Sequence, residues 1–173
     1  DDSILVVNSK ATVKVGNKRQ NLRTLTTDVL PFRCTHSVDI VVQGGIRDIC
    51  YLPSESMVIC TSADPHAVTA ICDKTGTTLW QFNTIDGATV YPWGISQNPK
   101  SGNLFVVDKL SHYRCEVHAT KDRHKFVRKF ISEDDCDFGL PRWVRWSNRH
   151  NCMVLQTFKY GKLVLIWLQF VSI

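Results

Sequence analysis

Short apolar segments alternate with polar turns along the chain, and three stretches repeat the same order of segments. The stretches are 46–82, 94–130 and 143–170. Their anchors are fully apolar runs starting at positions 57, 104 and 153, that is, 47 and 49 residues apart. Each stretch opens with a short strand pattern, passes a polar turn into the apolar run, and continues into strands in which apolar and polar residues alternate. Each stretch therefore predicts a four-stranded antiparallel meander.

The apolar run of each stretch predicts a strand that is buried on both faces. The turns at 73–76 and 99–102 end in glycine, which adopts a positive φ without steric cost. No stretch has a long 3.6-residue period, so we expect very little helix. Sheets of this length that repeat along a chain pack face to face around an axis. The sequence therefore predicts an all-β fold, a β-propeller with each meander as one blade.

The N-terminal part is less regular than the three stretches. Residues 1–25 have the pattern of a partial blade, and residues 26–45 have that of a longer connection. With a repeat of about 47 residues, the 173 residues amount to about 3.7 blades. Because four-bladed propellers are uncommon, we expect one domain over 1–173 that is a fragment of a six-bladed ring, with a closed four-bladed ring as the alternative. The N-terminal strands are predicted at 4–7, 11–15, 21–25 and 38–42.

The second stretch carries a motif that resembles NHL repeats, such as those in the C-terminal propellers of tripartite-motif (TRIM) proteins. Gly94-Ile95 precedes the first strand, and the segment NPKSGNLFVVD follows at 98–108. The third stretch departs from this pattern, since Gln156 stands where Asp108 stands in the second. The resemblance covers about 46–170, and because some NHL propellers bind RNA on one face, it implies an RNA-binding alternative for this chain.

The first stretch carries a different motif, AICDKTGTTLW at 70–80, which is similar to the repeat of pyrroloquinoline-quinone-type propellers. In that family the tryptophan docks between blades, so the resemblance implies that Trp80 packs between two sheets. The corresponding segment of the second stretch, 126–130, has no tryptophan. We therefore expect no quinone and no other cofactor.

Basic and aromatic residues recur at the places that a propeller gathers on one face. Residues entering the innermost strands converge near the axis, and Arg47, Trp93 and Arg142 hold equivalent positions there. Cations beside aromatic rings suit a peptide carboxylate, a phosphate or a nucleobase. Loops that follow the apolar strands reach the same face and complete the predicted ligand-binding set: His66, Lys109, His112, Lys159 and Tyr160.

The residue patterns of catalysis and metal binding do not occur in this sequence. Propeller hydrolases hold a divalent cation on the axis with several oxygen ligands, but only Asp48 supplies a carboxylate among the six residues at 47–48, 93–94 and 142–143. The six histidines form no metal-binding pair, and neither a nucleophile elbow nor a phosphate loop occurs. We expect no enzyme activity and no metal, with a propeller hydrolase as a further alternative.

Composition and charge are those of an ordinary globular domain, with 43% hydrophobic and 21% charged residues. The net charge of +5 permits an anionic partner without requiring one. No apolar run is long enough to span a membrane. We predict that the chain is a non-catalytic module that binds a protein or peptide. Binding of single-stranded RNA is the alternative, although the net positive charge is small for an RNA-binding domain.

Seven cysteines lie in the chain, and none forms a C-x-x-C pair. Most lie in apolar or alternating segments, which favours free buried thiols and a reducing compartment such as the cytoplasm. A hairpin that turns at 53–56 would bring Cys50 opposite Cys60. A disulfide between them would be strained, as pairs on neighbouring strands are, and its presence stays open at this point.

Overall fold

The computed structural model describes residues 4–9, 19–26, 33–41, 45–85, 87–109, 114–120, 122–131 and 140–168. These residues form sixteen β-strands and a single turn of 3-10 helix at Pro53–Glu55, and they contain no α-helix. The predicted all-β architecture is therefore confirmed. A helix with the length and apolar character needed to cross a lipid bilayer does not occur in this part of the chain.

The strands fall into four successive sheets and one small hairpin, and all neighbouring strands are antiparallel. The N-terminal sheet contains β1 (Ile4–Ser9), β2 (Arg19–Thr26) and β3 (Arg33–Val41). The first blade contains β4 (Ile46–Leu52), β5 (Met57–Ala63), β6 (His66–Cys72) and β7 (Thr78–Phe82). A hairpin of β8 (Thr84–Ile85) and β9 (Ala88–Thr89) follows.

The other two blades repeat this order. The second blade contains β10 (Pro92–Gln97), β11 (Leu104–Asp108), β12 (Arg114–Ala119) and β13 (His124–Ile131). The third blade contains β14 (Leu140–Ser147), β15 (Cys152–Lys159) and β16 (Lys162–Leu168). The first strands of the blades lie side by side, since β10 contacts both β4 and β14.

The second strands are buried as the apolar runs predict. Every residue from position 57 to 62 in β5 is buried, and so is every residue of β11. The predicted turns are confirmed as well, because Gly76 and Gly102 have φ values of 71° and 73°. In β15 the burial is one-sided, and Val154 and Gln156 stay partly exposed. Among the described residues, β15 is therefore covered on one face only.

In the part of the chain that the structure describes, two apolar cores join the three blades. Ile59 and Val68 of the first blade pack with Leu104 and Val106 of the second, and all four are essentially inaccessible to solvent. Trp80 packs against this core, and its Nε1 donates a hydrogen bond to the Thr120 carbonyl oxygen of the second blade at 2.7 Å. The expected inter-sheet role of Trp80 is confirmed. The second core joins the second and third blades through Phe105, Val107, Val144, Met153 and Leu155.

The N-terminal part differs from the prediction. Residues 26–45 are not only a connection, because β3 (Arg33–Val41) pairs with β2 over its whole length. The polar residues 33–37 hid the first half of this strand, since they lack the alternation by which strands are recognised. The strand predicted at 11–15 lies outside the described residues. The second and third blades begin at Pro92 and Leu140, slightly before the predicted starts, because their first strands continue through a bulge.

The cysteines with described side chains are all free thiols: Cys50, Cys60, Cys72 and Cys152. The disulfide that the sequence left open between Cys50 and Cys60 does not form, because the two residues are not opposite each other in the hairpin. The 3-10 turn and Ser56, with φ of 49°, place Leu52 opposite Met57. Cys60 consequently lies opposite Ile49, and the two thiols point to opposite faces of the sheet.

We expect Cys72 to react with iodoacetamide at least about tenfold faster than Cys60 in the native protein. Burial raises the pKa of the Cys60 thiol to about 12, so its thiolate is scarce at neutral pH. Hydrogen bonds from the Thr75 side chain and from the Thr75 and Lys74 backbone lower the pKa of Cys72. Pulsed labelling followed by peptide mass spectrometry measures both rates. Equal rates would mean that the core between the first two blades opens readily.

Candidate ligand-binding site

The first strand of each blade is interrupted by a β-bulge at the same place. The extra residues are Arg47 in β4, Trp93 in β10 and Arg142 in β14. A bulge leaves one residue out of the ladder and changes the direction of its side chain. Pro92 and Pro141 directly precede two of these residues, as suits a residue without an N–H at a bulge. The three predicted residues thus project from the sheets where the innermost strands meet.

The structure brings three cations to one indole ring. The Cζ atom of Arg47 lies 4.2 Å from the ring centroid of Trp93, and the Lys109 Nζ atom lies 4.4 Å from it. Arg142 approaches from the third blade, with its Cζ atom 5.9 Å from the same centroid. Arg47, Trp93, Lys109 and Arg142 are called the hub cluster from here on. Its members come from all three blades.

Within the described residues, no cation of the hub cluster forms an ion pair with a carboxylate. The ion pairs found among the described residues are Arg128–Glu116 and Arg145–Asp48, and neither includes a cation of the hub cluster. Arg47 donates instead to the Pro92 carbonyl oxygen at 3.0 Å, and burial lowers the pKa of its guanidinium. An arginine nevertheless stays charged at any physiological pH. The cluster is therefore suited to an anionic group.

His66 is the first residue of β6 and lies close to the positive charge of the hub cluster. Its ring centroid lies 4.5 Å from that of Tyr91, and its buried Nδ1 atom has no hydrogen-bond partner among the described residues. Burial, and then the positive charge of Arg47, lower the pKa of His66, with Asp64 and Asp108 acting in the opposite direction. An anion bound at the hub cluster would favour the protonated ring, so it would raise this pKa.

Aromatic side chains extend the site into the third blade. The Cζ atom of Arg142 lies 5.4 Å from the ring centroid of Phe158, which is 39% exposed. The Lys159 Nζ atom lies 5.1 Å from the Tyr160 ring, and Tyr160 is 85% exposed. A large aromatic side chain that exposes this much of its area is available for contact with a partner.

An ion pair with the buried carboxylate of Asp48 joins the innermost strands of the blades. Asp48 of the first blade is 6% exposed and accepts two hydrogen bonds of 2.7 Å from the guanidinium of Arg145 in the third blade. The same carboxylate accepts the backbone N–H of Ile49 and that of Ile95 in the second blade, each at 2.9 Å. One carboxylate thereby joins three blades, and its bidentate geometry holds the inner strands in register.

The close approach of β10 and β14 also depends on a residue without a side chain. A Cβ atom at Gly94 would lie 2.7 Å from the Arg142 carbonyl oxygen and 2.8 Å from the Trp143 Cα atom. Thr61 connects the first blade to the same place, since its Oγ1 donates to the Trp93 carbonyl oxygen at 2.9 Å. The backbone that carries the hub cluster is therefore held from both sides.

The predicted ligand-binding residues are placed as follows. The hub cluster contains four of them, His66 lies next to it, and Lys159 and Tyr160 lie at the adjoining end of the third blade. His112 lies outside the described residues. The sequence analysis did not identify Phe158 or the Asp48–Arg145 pair. The prolines at 92 and 141 were the available sequence signal for the bulges. No group of three or more potential metal ligands occurs among the described residues.

The sequence matches no protein-family model and no curated protein. Several solved structures are similar to this chain. For a structure of a nidogen/laminin complex, the TM-score is 0.62 and the identity 12%, and the alignment covers 94% of this chain and 56% of the other. A luciferin-regenerating enzyme has a TM-score of 0.55 and 11% identity, covering 91% and 57% of the two chains. Hydrazine synthase from Kuenenia stuttgartiensis has a TM-score of 0.54 and 16% identity, covering 86% and 42%.

This chain thus spans about half the length of the structures it resembles. At identities of this size the likeness concerns the fold alone. Together with the repeated antiparallel sheets, it confirms the predicted class: the chain has a β-propeller fold.

Proposed function

We propose that this chain is a non-catalytic interaction module that binds an anionic segment of a protein partner at the hub cluster. The observation that carries the proposal is the convergence of Arg47, Lys109 and Arg142 on one indole ring. Three like charges around one ring repel one another, and a bound anion would offset that repulsion. The bulged strands fix the charges before any ligand arrives. Such preorganisation reduces the conformational entropy that binding costs.

The proposal of a non-catalytic role is supported by the hydrogen bonds of Asp48, the one carboxylate among residues 47–48, 93–94 and 142–143. Both oxygens of Asp48 already accept two hydrogen bonds each, from Arg145 and from backbone N–H groups. A carboxylate with this set of partners is poorly placed to serve as a metal ligand or a general base. Because its described thiols are free, we also propose that the chain works in a reducing compartment such as the cytoplasm.

A protein partner is the preferred ligand for two reasons. One similar structure is that of a complex between two proteins, nidogen and laminin, which supports the use of this fold for protein binding. The exposed Phe158 and Tyr160 next to the cations are typical anchors of protein interfaces. An NHL-like propeller that binds single-stranded RNA is the alternative, because nucleobases stack on exposed aromatic rings.

The test measures binding of a fluorescent acidic peptide, hexaglutamate, by anisotropy at low and at moderate salt. We expect the double variant Arg47→Glu with Arg142→Glu to bind about tenfold more weakly than the wild type, since two favourable charge contacts become repulsive. Lys109→Glu tests the third cation without removing the hydrogen bond that Arg47 makes to Pro92. A labelled oligouridylate of similar charge is measured in parallel.

The matched control is Arg123→Glu with Arg149→Glu, which changes the net charge equally at exposed turns outside the hub cluster. We expect this variant to bind within about twofold of the wild type, because both side chains are exposed and salt screens interactions between exposed charges. Equal weakening in both double variants would show general charge attraction and contradict a hub site. Tighter binding of oligouridylate than of the peptide would replace the protein proposal by the RNA one.

A further inference from the structure

The cations of the hub cluster keep most of their hydrogen-bond donors for a ligand. Arg47 donates through Nη1 to the Pro92 carbonyl oxygen, whereas the side chains of Lys109 and Arg142 donate no hydrogen bond within the described part of the chain. A guanidinium carries five N–H groups and an ammonium three. All three side chains are partly exposed, so a group in solution can approach them. The hub cluster therefore offers many charged donors to one incoming anion.

The three cations are close enough to act on a single group. Because both atoms lie near the same ring centroid, the Arg47 Cζ atom and the Lys109 Nζ atom are no more than about 8.6 Å apart. By the same geometry the Arg142 Cζ atom lies within about 10.3 Å of each of them. An oxygen bound to a charged nitrogen lies about 2.8 Å from it. An anion whose oxygens point in several directions can therefore bridge cations at these separations.

The charge around the hub cluster corresponds to that of a phosphate monoester. Asp108, which directly precedes Lys109, is buried and accepts the Tyr91 N–H at 3.2 Å, so its charge offsets one of the three cations. Asp48 is already paired with Arg145. About two positive charges are thus left for a ligand. A phosphate monoester carries a charge of about −1.5 to −2 at neutral pH and three acceptor oxygens, whereas a carboxylate carries one charge and two oxygens.

His66 responds to the charge of whatever the hub cluster binds. The titratable and charged groups around its ring are Arg47, Asp64, Tyr91, Asp108 and Lys109. Burial lowers the pKa of His66, and the two cations lower it as well, against the two carboxylates. A bound dianion opposes the cations and so raises this pKa. A phosphate has a larger and more compact charge than a carboxylate, so its effect on His66 is the greater one.

We propose that the anionic group bound at the hub cluster is the phosphate of a phosphorylated side chain in the partner protein, which rests on the proposed function. Arg47 and Arg142 approach from the first and third blades, and their planar guanidinium groups suit the oxygens of a phosphate. Lys109 adds a point charge from the second blade. Phe158, an exposed ring beside Arg142, is available to the apolar residues that flank the phosphate.

The test compares fluorescent peptides by anisotropy at slightly alkaline pH, where a phosphate monoester is almost fully ionised. The first peptide has one phosphoserine between two Gly-Leu-Gly segments, and its ends are blocked. The second has two glutamates in place of the phosphoserine, so its charge is nearly equal, and the third has serine. We expect the wild type to bind the phosphoserine peptide about tenfold more tightly than the two-glutamate peptide. Binding of the serine peptide should be weaker than both.

Arg142→Gln removes one cation without breaking a side-chain hydrogen bond among the described residues. We expect this variant to bind the phosphoserine peptide about fivefold more weakly than the wild type, and the two-glutamate peptide at most about twofold more weakly, because a compact dianion uses all three cations. The matched control is Arg149→Gln at an exposed turn, which should change neither affinity.

Two further measurements use the unmodified protein. Inorganic phosphate is added as a competitor and should displace the phosphoserine peptide only at a concentration at least about tenfold above that of the unlabelled peptide, since it lacks the flanking residues. The titration of the His66 ring is followed by NMR with and without peptide. We expect its midpoint to move to higher pH with the phosphoserine peptide, and further than with the two-glutamate peptide.

Four results would overturn the proposal of a phosphorylated partner. They are equal affinity for the phosphoserine and two-glutamate peptides, an unchanged preference in Arg142→Gln, an unmoved titration of His66, and displacement by inorganic phosphate as effective as by the peptide. The last result would indicate a site for free phosphate. Tighter binding of oligouridylate than of the phosphoserine peptide would likewise replace the phosphorylated side chain by the phosphodiesters of RNA.

Failure of this proposal differs from failure of the proposed function. If both acidic peptides bind equally, and Arg47→Glu with Arg142→Glu weakens both while Arg123→Glu with Arg149→Glu does not, the hub cluster binds an anionic segment that needs no phosphate. If the hub variant binds both peptides as the wild type does, the hub cluster is not the binding site, and the proposed function is wrong as well.

Discussion

Replacing Gly94 with alanine is expected to lower the free energy of unfolding by about 3 kcal/mol. The new Cβ atom would lie 2.7 Å from the Arg142 carbonyl oxygen and 2.8 Å from the Trp143 Cα atom. Both atoms belong to the backbone of β14, so no side chain can move aside to relieve the overlap. The two inner strands must separate, and the ladder and the core between the second and third blades are disturbed together. Urea unfolding followed by tryptophan fluorescence measures the loss.

Gly45→Ala is the matched control for this substitution. A Cβ atom at Gly45 meets no atom within 4 Å, and no positive φ is involved at either glycine. We expect this variant to change the free energy of unfolding by less than about 0.5 kcal/mol. If Gly94→Ala changed the stability as little as Gly45→Ala, the inner strands would not be packed as closely as the structure shows.

Replacing Asp48 with alanine is expected to lower the free energy of unfolding by about 2 kcal/mol. The substitution leaves the backbone N–H of Ile95 without its acceptor inside the structure and removes both hydrogen bonds from Arg145. The guanidinium itself is 55% exposed, so water compensates part of its loss and keeps the cost below that of a fully buried pair. The same unfolding experiment measures the effect.

Asp122→Ala removes an exposed carboxylate from the second blade and serves as the control. Its effect should stay within about 0.5 kcal/mol, as for most surface substitutions. Binding of the acidic peptide provides a second measurement, because the pair holds the strands that carry Arg47, Trp93 and Arg142. We expect Asp48→Ala to weaken that binding even where the variant is fully folded. Unchanged stability and unchanged binding would exclude a role of the pair in holding the three blades.

Much of the candidate site followed from equivalent positions in the repeat. Arg47, Trp93 and Arg142 precede the first strands of the three stretches, and a repeated sheet places equivalent residues at equivalent points around an axis. Their proximity was therefore predictable without coordinates. Phe158 was not, because it follows the apolar run that starts β15, and an aromatic residue in such a strand is expected to be buried. Only the ladder shows that this ring lies beside Arg142 on the exposed face.

The hydrogen-bond partners of Asp48 show why some contacts cannot be predicted from the sequence. Asp48 and Arg145 are 97 positions apart, and nothing in the local pattern of either segment refers to the other. The sequence left the pairing of Cys50 with Cys60 open for a related reason. A shift of one residue in the turn moves a side chain to the other face of the sheet, and the turn at 53–56 allowed more than one register.

The sequence alone determined the class of this protein. A strand that is buried on both faces needs a continuous apolar run, and a strand with one face in water shows alternation of apolar and polar residues. Because this combination repeats about every 47 residues, the sheets must stack on one another, and the propeller was predictable from local pattern. The tertiary structure alone decided the bulges, the register and the separation of the blades. These features depend on which backbone atoms contact each other across neighbouring sheets, as at Gly94. Contacts between segments that are distant in the sequence produce no periodic pattern of residues by which they could be predicted.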